Sequence, residues 1–405
     1  MSQLTSDRSP WSRRRLRAAR LLSLVGALGI AGCATAPTRI EPPPPEPGSI
    51  AEIPGVPAAR RWGDEPPRRL QAWLDLPRET LLQTHSGVMG REHAYLVISG
   101  GGGNGAFGAG LLAGWTAHGD RPEFQIVTGT STGALIAPFA FLGPAYDERL
   151  REVYTSYSTK DLVESRGLVS ILRGDAALST ARLRALIAQY FDEDVIAAIA
   201  AEGARGRSLF VGTTNLDVGR PVVWDITRMA ALGTPEAREL IYDVILASTA
   251  IPGAFPPVMI EVEAEGRRYE EMHVDGGVTN QLFLESKGID WRRVLARLEV
   301  EGTPELYVIR NGRVRQEADA VPRRLGPVLM RTISTLITAQ GVGDLARLYV
   351  TSLENGFDYQ VAYIPEDYPD SPSETFDRAY MKRLFEFGYE LGRSGREWNV
   401  VFDHD

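Results

Sequence analysis

The pentapeptide Gly129-Thr130-Ser131-Thr132-Gly133 constrains the fold of this chain more than any other segment. An apolar run that favours a β-strand, residues 124–128, precedes it, and an apolar run typical of a helix follows it. A serine held between a strand and a helix lies on a sharp turn whose strained backbone passes close to its neighbours. Small residues two positions before and after the serine make such a turn possible, and Gly129 and Gly133 meet that requirement. The sequence therefore predicts a strand, a tight turn and a helix, with Ser131 exposed on the turn.

A second turn, Gly100-Gly101-Gly102-Gly103-Asn104-Gly105, also lies between a strand-like run, 94–98, and a helix-like run. This layout presents backbone N–H groups and a helix N-terminus to an anion. The series Gly103-x-Gly105-x-x-Gly108 also matches a dinucleotide fingerprint, which expects an acidic residue at the end of the next strand. That strand ends in Val127-Thr128-Gly129, so the sequence favours an oxyanion hole over a nicotinamide or flavin site.

A third segment, Asp275-Gly276-Gly277, follows the strand-like run 269–274. An aspartate that caps a tight turn explains most isolated Asp-Gly pairs. In the presence of the two other segments, however, Asp275 completes a set of an oxyanion hole, a nucleophile and a base. That set predicts acyl transfer.

The three segments resemble the patatin-like phospholipase family, whose domain carries a glycine-rich oxyanion loop, a Gly-x-Ser-x-Gly elbow and an Asp-Gly-Gly/Ala motif. Their order and spacing agree from Gly100 to Gly277, and residues 247–252 resemble the family's Ala-Ser-x-Ala-x-Pro segment. The resemblance implies an α/β fold of three layers, α/β/α, with a mostly parallel central sheet and a nucleophile elbow. It also implies a catalytic dyad of Ser131 and Asp275.

The family resemblance implies a lipid acyl hydrolase of the phospholipase A or lysophospholipase type that needs no metal and no organic cofactor. Ser131 attacks the ester carbonyl while Asp275 takes its proton, and water then hydrolyses the acyl-enzyme. A carboxylate in water, with a pKa of about 4, is a poor base, so the site must be partly desolvated. One departure is Asn104, because the family usually has Arg or Lys there; without this charge, stabilisation of the oxyanion depends more on backbone dipoles.

The five histidines, His85, His93, His118, His273 and His404, offer no plausible Ser-His-Asp triad, which disfavours a serine peptidase or a non-lipid serine esterase. Only His273 is close to a site residue, because residues two apart on a strand project from the same face. It either reaches the site or is a paired strand histidine. A catalytically silent lipoprotein that binds lipids or partners is a further alternative, but it has no need for both Ser131 and Asp275.

The N-terminus predicts export. Five arginines between residues 13 and 20 precede an apolar run, 21–30, which is too short to span a bilayer. The run ends at Cys33 in a sequence that resembles a bacterial lipobox, so residues 1–32 are predicted to be a lipoprotein signal peptide. An ordinary signal peptide with an incidental cysteine is the alternative. Because Cys33 is the only cysteine, no intramolecular disulfide is possible.

We therefore expect a membrane-anchored lipoprotein of a bacterial envelope, and family-level analogy favours the outer membrane. Residues 33–60 are rich in proline and predict an extended tether, residues 61–91 a linker or packing segment, and residues 92–405 the hydrolase domain. Residues 1–32 carry six of the 44 basic and one of the 52 acidic residues, so the remaining chain has a net charge of −13. This charge disfavours binding to nucleic acid and to anionic lipid, and leaves membrane attachment to the lipid anchor. The sequence does not predict an oligomeric state.

Strand-like and helix-like segments alternate through the predicted domain, which indicates a mostly parallel sheet covered by helices. The predicted strands are near 94–99, 124–128, 208–214, 221–226, 269–274, 305–310 and 358–364. The predicted helices are near 106–118, 133–142, 180–190, 234–247, 326–349 and 376–393. Residues 138–142 and 251–257 are candidates for an acyl groove or for ordinary core, whereas the apolar positions 328, 329, 333, 336 and 337 predict a buried helix face.

Overall fold

The computed structural model describes residues 39–44, 50–165, 178–284, 286, 288–315, 320–395 and 398. The predicted signal peptide and Cys33 lie outside the described residues. No helix in these ranges is both long and apolar enough to cross a bilayer.

The seven predicted strands are all present, and the described residues contain four more that were not predicted, at 60–62, 164–165, 178–179 and 258–264. Together they are β1 (Arg60–Trp62), β2 (Glu92–Ile98), β3 (Ile126–Thr130), β4 (Glu164–Ser165), β5 (Leu178–Ser179), β6 (Ser208–Asn215), β7 (Arg220–Asp225), β8 (Val258–Ala264), β9 (Arg267–Asp275), β10 (Glu301–Arg310) and β11 (Asp358–Tyr363). Strands β4 and β5 pair with each other in a small separate sheet, and the others form one sheet.

The helices surround this sheet. They are α1 (Leu70–Leu74), α2 (Arg78–Thr84), α3 (Gly105–His118), α4 (Thr132–Leu142), α5 (Asp147–Ser156), α6 (Thr159–Leu162), α7 (Ala181–Tyr190), α8 (Glu193–Ala204), α9 (Ile226–Leu232), α10 (Pro235–Ser248), α11 (Trp291–Arg297), α12 (Leu325–Asn355) and α13 (Arg378–Ser394).

Five parallel strands in the order β6-β3-β2-β10-β11 form the centre of the sheet. Alternate residues of β2 point to opposite faces. Leu96 and Ile98 pack in one hydrophobic core with α3, α4 and α13, whereas Tyr95 and Val97 pack in another with α11 and α12. Cores on both faces confirm the predicted α/β fold with three layers, because a parallel sheet is stable when helices cover both of its sides.

Antiparallel strands extend the sheet beyond β6 and determine where the site lies. Thr130, the last residue of β3, pairs with Gly212 of β6. Beyond this point β9 takes the place of β3 along the same side of β6, and Asp275 pairs with Thr213. The end of β9 therefore arrives where β3 leaves the sheet, next to the residue that follows Thr130.

The predicted tether ends earlier than expected. Its proline content predicted an extended chain as far as residue 60, but Ile53, Val56 and Ala59 are buried in the core and Arg60 begins β1, which pairs with β7. The cause is the apolar residues between the prolines, which bury their side chains against the domain. Of the predicted tether, residues 50–60 thus belong to the packed body, and the earlier Arg39 also binds it through the Asp217 carboxylate.

The first half of α12 also differs from the prediction of a buried face. Val328, Leu329 and Leu336 are exposed, and Ile333 and Ile337 are only half-buried. The second half holds the helix on the domain, where Leu345 and Leu348 are buried and the Asp344 carboxylate accepts hydrogen bonds from the N–H groups of residues 281 and 282. Helical spacing indicates which residues share a face, but not whether another element covers that face.

Candidate active site

Ser131 lies on the predicted sharp turn between β3 and α4. Its φ of 55° and ψ of −125° are unusual for a residue with a side chain and indicate local backbone strain. At both predicted elbow glycines, neighbouring backbone atoms lie so close that there is no room for a side chain. A Cβ on Gly129 would lie 2.3 Å from the carbonyl oxygen of Gly133, and a Cβ on Gly133 would lie 2.3 Å from the carbonyl oxygen of Ile98.

The structure places Asp275 beside Ser131, and interaction with the Ser131 side chain lowers the pKa of its carboxyl group. The carboxylate Oδ1 also accepts the N–H of Gly277 at 2.8 Å. Burial raises the pKa of Asp275 to about 6, although the hydrogen bonds from Ser131 and Gly277 act in the opposite direction. Desolvation therefore makes this carboxylate a stronger base than it would be in water.

The glycines after Asp275 allow the chain to turn in a crowded space. A Cβ on Gly276 would lie 2.5 Å from the carbonyl oxygen of Gly212, and a Cβ on Gly277 would lie 2.4 Å from Nε2 of Gln281. Asp275 also caps this turn, since its carboxylate accepts the Gly277 N–H. The same side chain thus shapes the turn and contacts Ser131.

The segment 247–252, which resembles a family segment, holds both residues through the backbone. Ser248 Oγ accepts the Ser131 N–H at 2.9 Å and donates to the Gly212 carbonyl oxygen at 2.7 Å. The Asp275 N–H donates to the Ala250 carbonyl oxygen at 2.9 Å. The sequence indicated this segment but assigned no role to Ser248, which fixes the serine turn to β6.

The predicted oxyanion loop lies against Ser131. A Cβ on Gly100 would lie 2.8 Å from the Ser131 Cβ, and Gly102 has a positive φ of 57°. Across the described residues, no acceptor is paired with the backbone N–H of Gly101, Gly102 or Gly103. These donors are therefore available to an anion beside Ser131.

Asn311, which was not predicted from the sequence, holds the loop in place. Its backbone N–H and its side-chain Nδ2 both donate at 2.9 Å to Ser99, and its Oδ1 accepts the Gly108 N–H at 3.0 Å. A Cβ on Gly108 would lie 2.6 Å from this Oδ1, so the dinucleotide-like glycine makes room for Asn311. In the sequence, this role was indicated by the position of Asn311, a polar residue directly after the buried strand predicted at 305–310.

The last two residues of the loop lead into α3. Asn104 Oδ1 accepts the hydroxyl of Tyr380 at 2.9 Å, which fixes the amide that replaces the family's cation. A Cβ on Gly105 would lie 2.4 Å from Thr132 Oγ1, so the helix can begin this close to the serine turn only with glycine.

His273 belongs to a separate buried network. Its Nδ1 is 2.9 Å from Thr213 Oγ1, and its Nε2 is 3.1 Å from a carboxylate oxygen of Glu271, which also binds Arg60. Among the described residues, neither Ser131 nor Asp275 forms a hydrogen bond with the ring. Of the two predicted roles, the structure assigns that of a paired strand histidine.

Two cavities meet at Ser131, which lines both. A narrow apolar pocket extends between α4, α5 and α7, and it takes in Phe139 from the segment 138–142 and Phe255 from the segment 251–257. On the other side lies a chamber of about 550 Å³ with both polar and apolar lining, formed by the glycine loop, Asp275, the end of β10 and the first half of α12. The site can therefore hold a molecule that extends to both sides of Ser131.

Residues 96–286 match the sequence model of the family described as patatin-like phospholipase. The resemblance noted above is therefore confirmed over these residues. Among solved structures, the crystal structure of VipD from Legionella pneumophila is similar, with 13% sequence identity and a TM-score of 0.41. That similarity covers 75% of this chain and 67% of VipD. No curated protein matches the sequence.

Replacement of Ser248 by alanine is expected to destabilise the domain. Ser248→Ala leaves the buried Ser131 N–H and the Gly212 carbonyl without their partner, which costs about 1–3 kcal/mol of unfolding free energy. Urea denaturation measures this loss. The control is Thr351→Ala, which removes an exposed helix hydroxyl bonded to the Arg347 carbonyl oxygen and should change stability by less than about 0.5 kcal/mol. Equal stability of both variants would contradict a role for Ser248 in holding the turn.

Proposed function

We propose that the protein is a lipid acyl hydrolase in which Ser131 is the nucleophile and Asp275 the general base. One observation carries the proposal: a serine on a strained turn lies beside a buried carboxylate of raised pKa, and both residues line the same chamber. The family match supports a hydrolase of the esterase or phospholipase type in general terms. The apolar pocket beside Ser131 supports a substrate with an acyl chain.

In the first step, Ser131 Oγ attacks the carbonyl carbon of the ester, and its proton passes to the Asp275 carboxylate. The carbonyl oxygen becomes negative and lies at the N–H groups of Gly101, Gly102 and Gly103. Each donor of this kind is worth about a hundredfold or more in rate. The tetrahedral intermediate then expels the alcohol, which receives the proton from Asp275, and an acyl-enzyme forms on Ser131.

In the second step, water attacks the acyl-enzyme while Asp275 accepts a proton from the water. The same N–H groups stabilise the second oxyanion, Ser131 leaves with the proton from Asp275, and the fatty acid is released. Asp275 performs both proton transfers because burial brings its pKa closer to neutral pH, where a base works best.

Hydrolysis of nitrophenyl esters with acetyl, octanoyl and dodecanoyl chains tests this function. We expect the longer chains to be preferred, and Ser131→Ala to lower kcat/KM by about a thousandfold or more, as does loss of other serine nucleophiles. Leu186→Trp narrows the apolar pocket and should lower activity on the dodecanoyl ester while sparing the acetyl ester. Undiminished hydrolysis by folded Ser131→Ala would refute Ser131 as the nucleophile.

The pH dependence of kcat/KM follows from the pKa of Asp275, which is about 6. Because the base must be ionised, activity should rise with pH through about 6 and then level off. The contribution of Asp275 to folding stability changes with pH in the opposite direction to activity. The raised pKa favours protonated Asp275 in the folded state, so its contribution to stability is present at low pH and is lost as pH rises through about 6. A pH–rate profile with no inflection between about 5 and 7 would contradict Asp275 as the base.

We also propose that Cys33 is lipidated and anchors the protein to a membrane of the bacterial envelope. The proposal is supported by the basic and apolar segments before Cys33 and by the polar, proline-rich residues that follow it. Cys33→Ala should move the protein from the membrane fraction of expressing bacteria to the soluble fraction, because acyl chains provide about 0.8 kcal/mol per buried methylene. Continued membrane association of Cys33→Ala would refute this anchor.

A further inference from the structure

A further cavity, which the proposed reaction does not use, lies at the edge of the sheet opposite the serine turn. This aromatic cavity of about 290 Å³ is lined by the first residues of β2, β3 and β6, by α11 and by the segment 61–91. Ile126 begins β3 and Ser131 follows its end, so at about 3.3 Å per residue the two positions are about 16 Å apart. We propose that the aromatic cavity binds a small aromatic carboxylate.

Aromatic rings form a large part of the lining. They belong to Trp73, His85, His93, Tyr95, Phe210 and Trp291. The rings of Tyr95 and Trp291 already pack against each other, with their centroids 5.6 Å apart. Aromatic rings attract further rings through stacked and edge-to-face contacts, in addition to the burial of apolar area. The lining therefore favours a ligand that contains a flat ring.

Hydrogen bonds within the protein hold these rings in place. Trp73 Nε1 donates to His85 Nε2 at 3.0 Å. His93 Nε2 donates to the Val88 carbonyl oxygen at 2.7 Å, and burial lowers the pKa of this histidine. The ring is therefore neutral, and its Nδ1 accepts the Tyr95 hydroxyl at 2.7 Å. Because the polar atoms of these rings are paired with one another, the rings present apolar surface to a ligand.

Gln125 contributes a buried polar group that the protein itself does not pair. Its Oε1 accepts the Ala94 N–H at 2.6 Å, and only 6% of the residue is exposed. Across the ranges that the structure describes, no acceptor is bonded to its Nε2, although Gln125 lines the aromatic cavity. A buried donor without a partner is costly, so a ligand oxygen at this position would stabilise it.

Ser208 and Arg61 lie on the same side of the cavity as Gln125. The Ser208 N–H donates to the Gln125 carbonyl oxygen at 2.9 Å, so the two residues are adjacent. Phe210 is two residues further along the same face of β6, and the Arg61 guanidinium lies 4.4 Å from the centre of its ring. Arg61 Nε donates to Ser286 Oγ, which fixes the guanidinium there.

The charge of the lining favours an anion. Two arginines, Arg61 and Arg69, line the aromatic cavity, and none of the lining residues that the structure describes is acidic. An amide N–H, a hydroxyl and a guanidinium on one side of the cavity are donors suited to the two oxygens of a carboxylate. The aromatic rings then surround the apolar part of the ligand.

The size and rigidity of the cavity distinguish between two kinds of carboxylate. Small-molecule sites have volumes of about 300–1,000 Å³, and this cavity is at the lower end of that range, which suits one or two rings. A fatty acid offers the same carboxylate, but its flexible chain loses conformational freedom on binding and makes no ring–ring contacts. We therefore expect aromatic carboxylates to bind more tightly than aliphatic ones. This inference does not depend on hydrolysis at Ser131.

Calorimetry on the full chain at pH 8 tests the proposed ligand class. Naphthalene-2-carboxylate should bind about tenfold or more tightly than octanoate and than the neutral naphthalene-2-methanol. Gln125→Glu keeps an acceptor for the Ala94 N–H but replaces the donor by a carboxylate, so it should lower the affinity for naphthalene-2-carboxylate by about tenfold or more. Arg61→Gln should cause a loss of similar size, and it tests the site if Gln125→Glu does not fold.

Three further variants test the location. Leu70→Trp fills the aromatic cavity and should abolish binding of naphthalene-2-carboxylate. Leu186→Trp, which narrows the apolar pocket beside Ser131, and Arg268→Gln, which removes an exposed arginine paired with Glu261, should leave binding unchanged. Loss of binding in Leu186→Trp but not in Leu70→Trp would overturn the site by placing the ligand in the apolar pocket.

The ligand class is overturned if octanoate or naphthalene-2-methanol binds folded wild-type protein as tightly as naphthalene-2-carboxylate does. The site itself is overturned if the wild type binds none of the three compounds at about 1 mM. Because these measurements use no ester, failure of the proposed hydrolase function would leave their interpretation unchanged.

Discussion

The pairing of β6 with two strands on the same side is the interaction on which the site depends. Gly212 pairs with the end of β3 and Thr213 with the end of β9, so two distant parts of the chain reach one point of the sheet edge. Ser131 and Asp275 are the residues at this point. A shift of either pairing by one residue would turn the side chains to the opposite face and separate the hydroxyl from the carboxylate.

Close approach of backbone segments explains the concentration of glycine around this point. The serine turn, the loop after β2 and the turn after β9 each pass within about 3 Å of a neighbouring segment where a Cβ would have to lie. Ser248 and Asn311 then fix these turns with side-chain hydrogen bonds to the backbone. The strain at Ser131 persists because the surrounding contacts over-determine its conformation.

The sequence predicted the parts of the structure that local patterns encode. Every predicted strand and helix of the domain is present within a few residues, and the site segments lie at the ends of the strands expected for them. The contributions of Ser248 and Asn311 were not predicted, because each depends on a partner more than 100 residues away. The burial of residues 50–60 and the exposure of the first half of α12 were not predicted for the same reason. Composition and spacing do not specify whether another part of the fold packs against a given segment.

The account gives Ser131 and Asp275 distinct chemical roles, and one experiment distinguishes them from a merely structural pair. The measurement is covalent labelling of the detergent-solubilised protein by a fluorophosphonate, with the modified peptide identified by mass spectrometry in the wild type and in Asp275→Asn. The account predicts labelling at Ser131 that slows by about tenfold or more in Asp275→Asn, because the hydroxyl loses its base. A folded protein in which Ser131 is unlabelled, or is labelled at the same rate in both proteins, would contradict it.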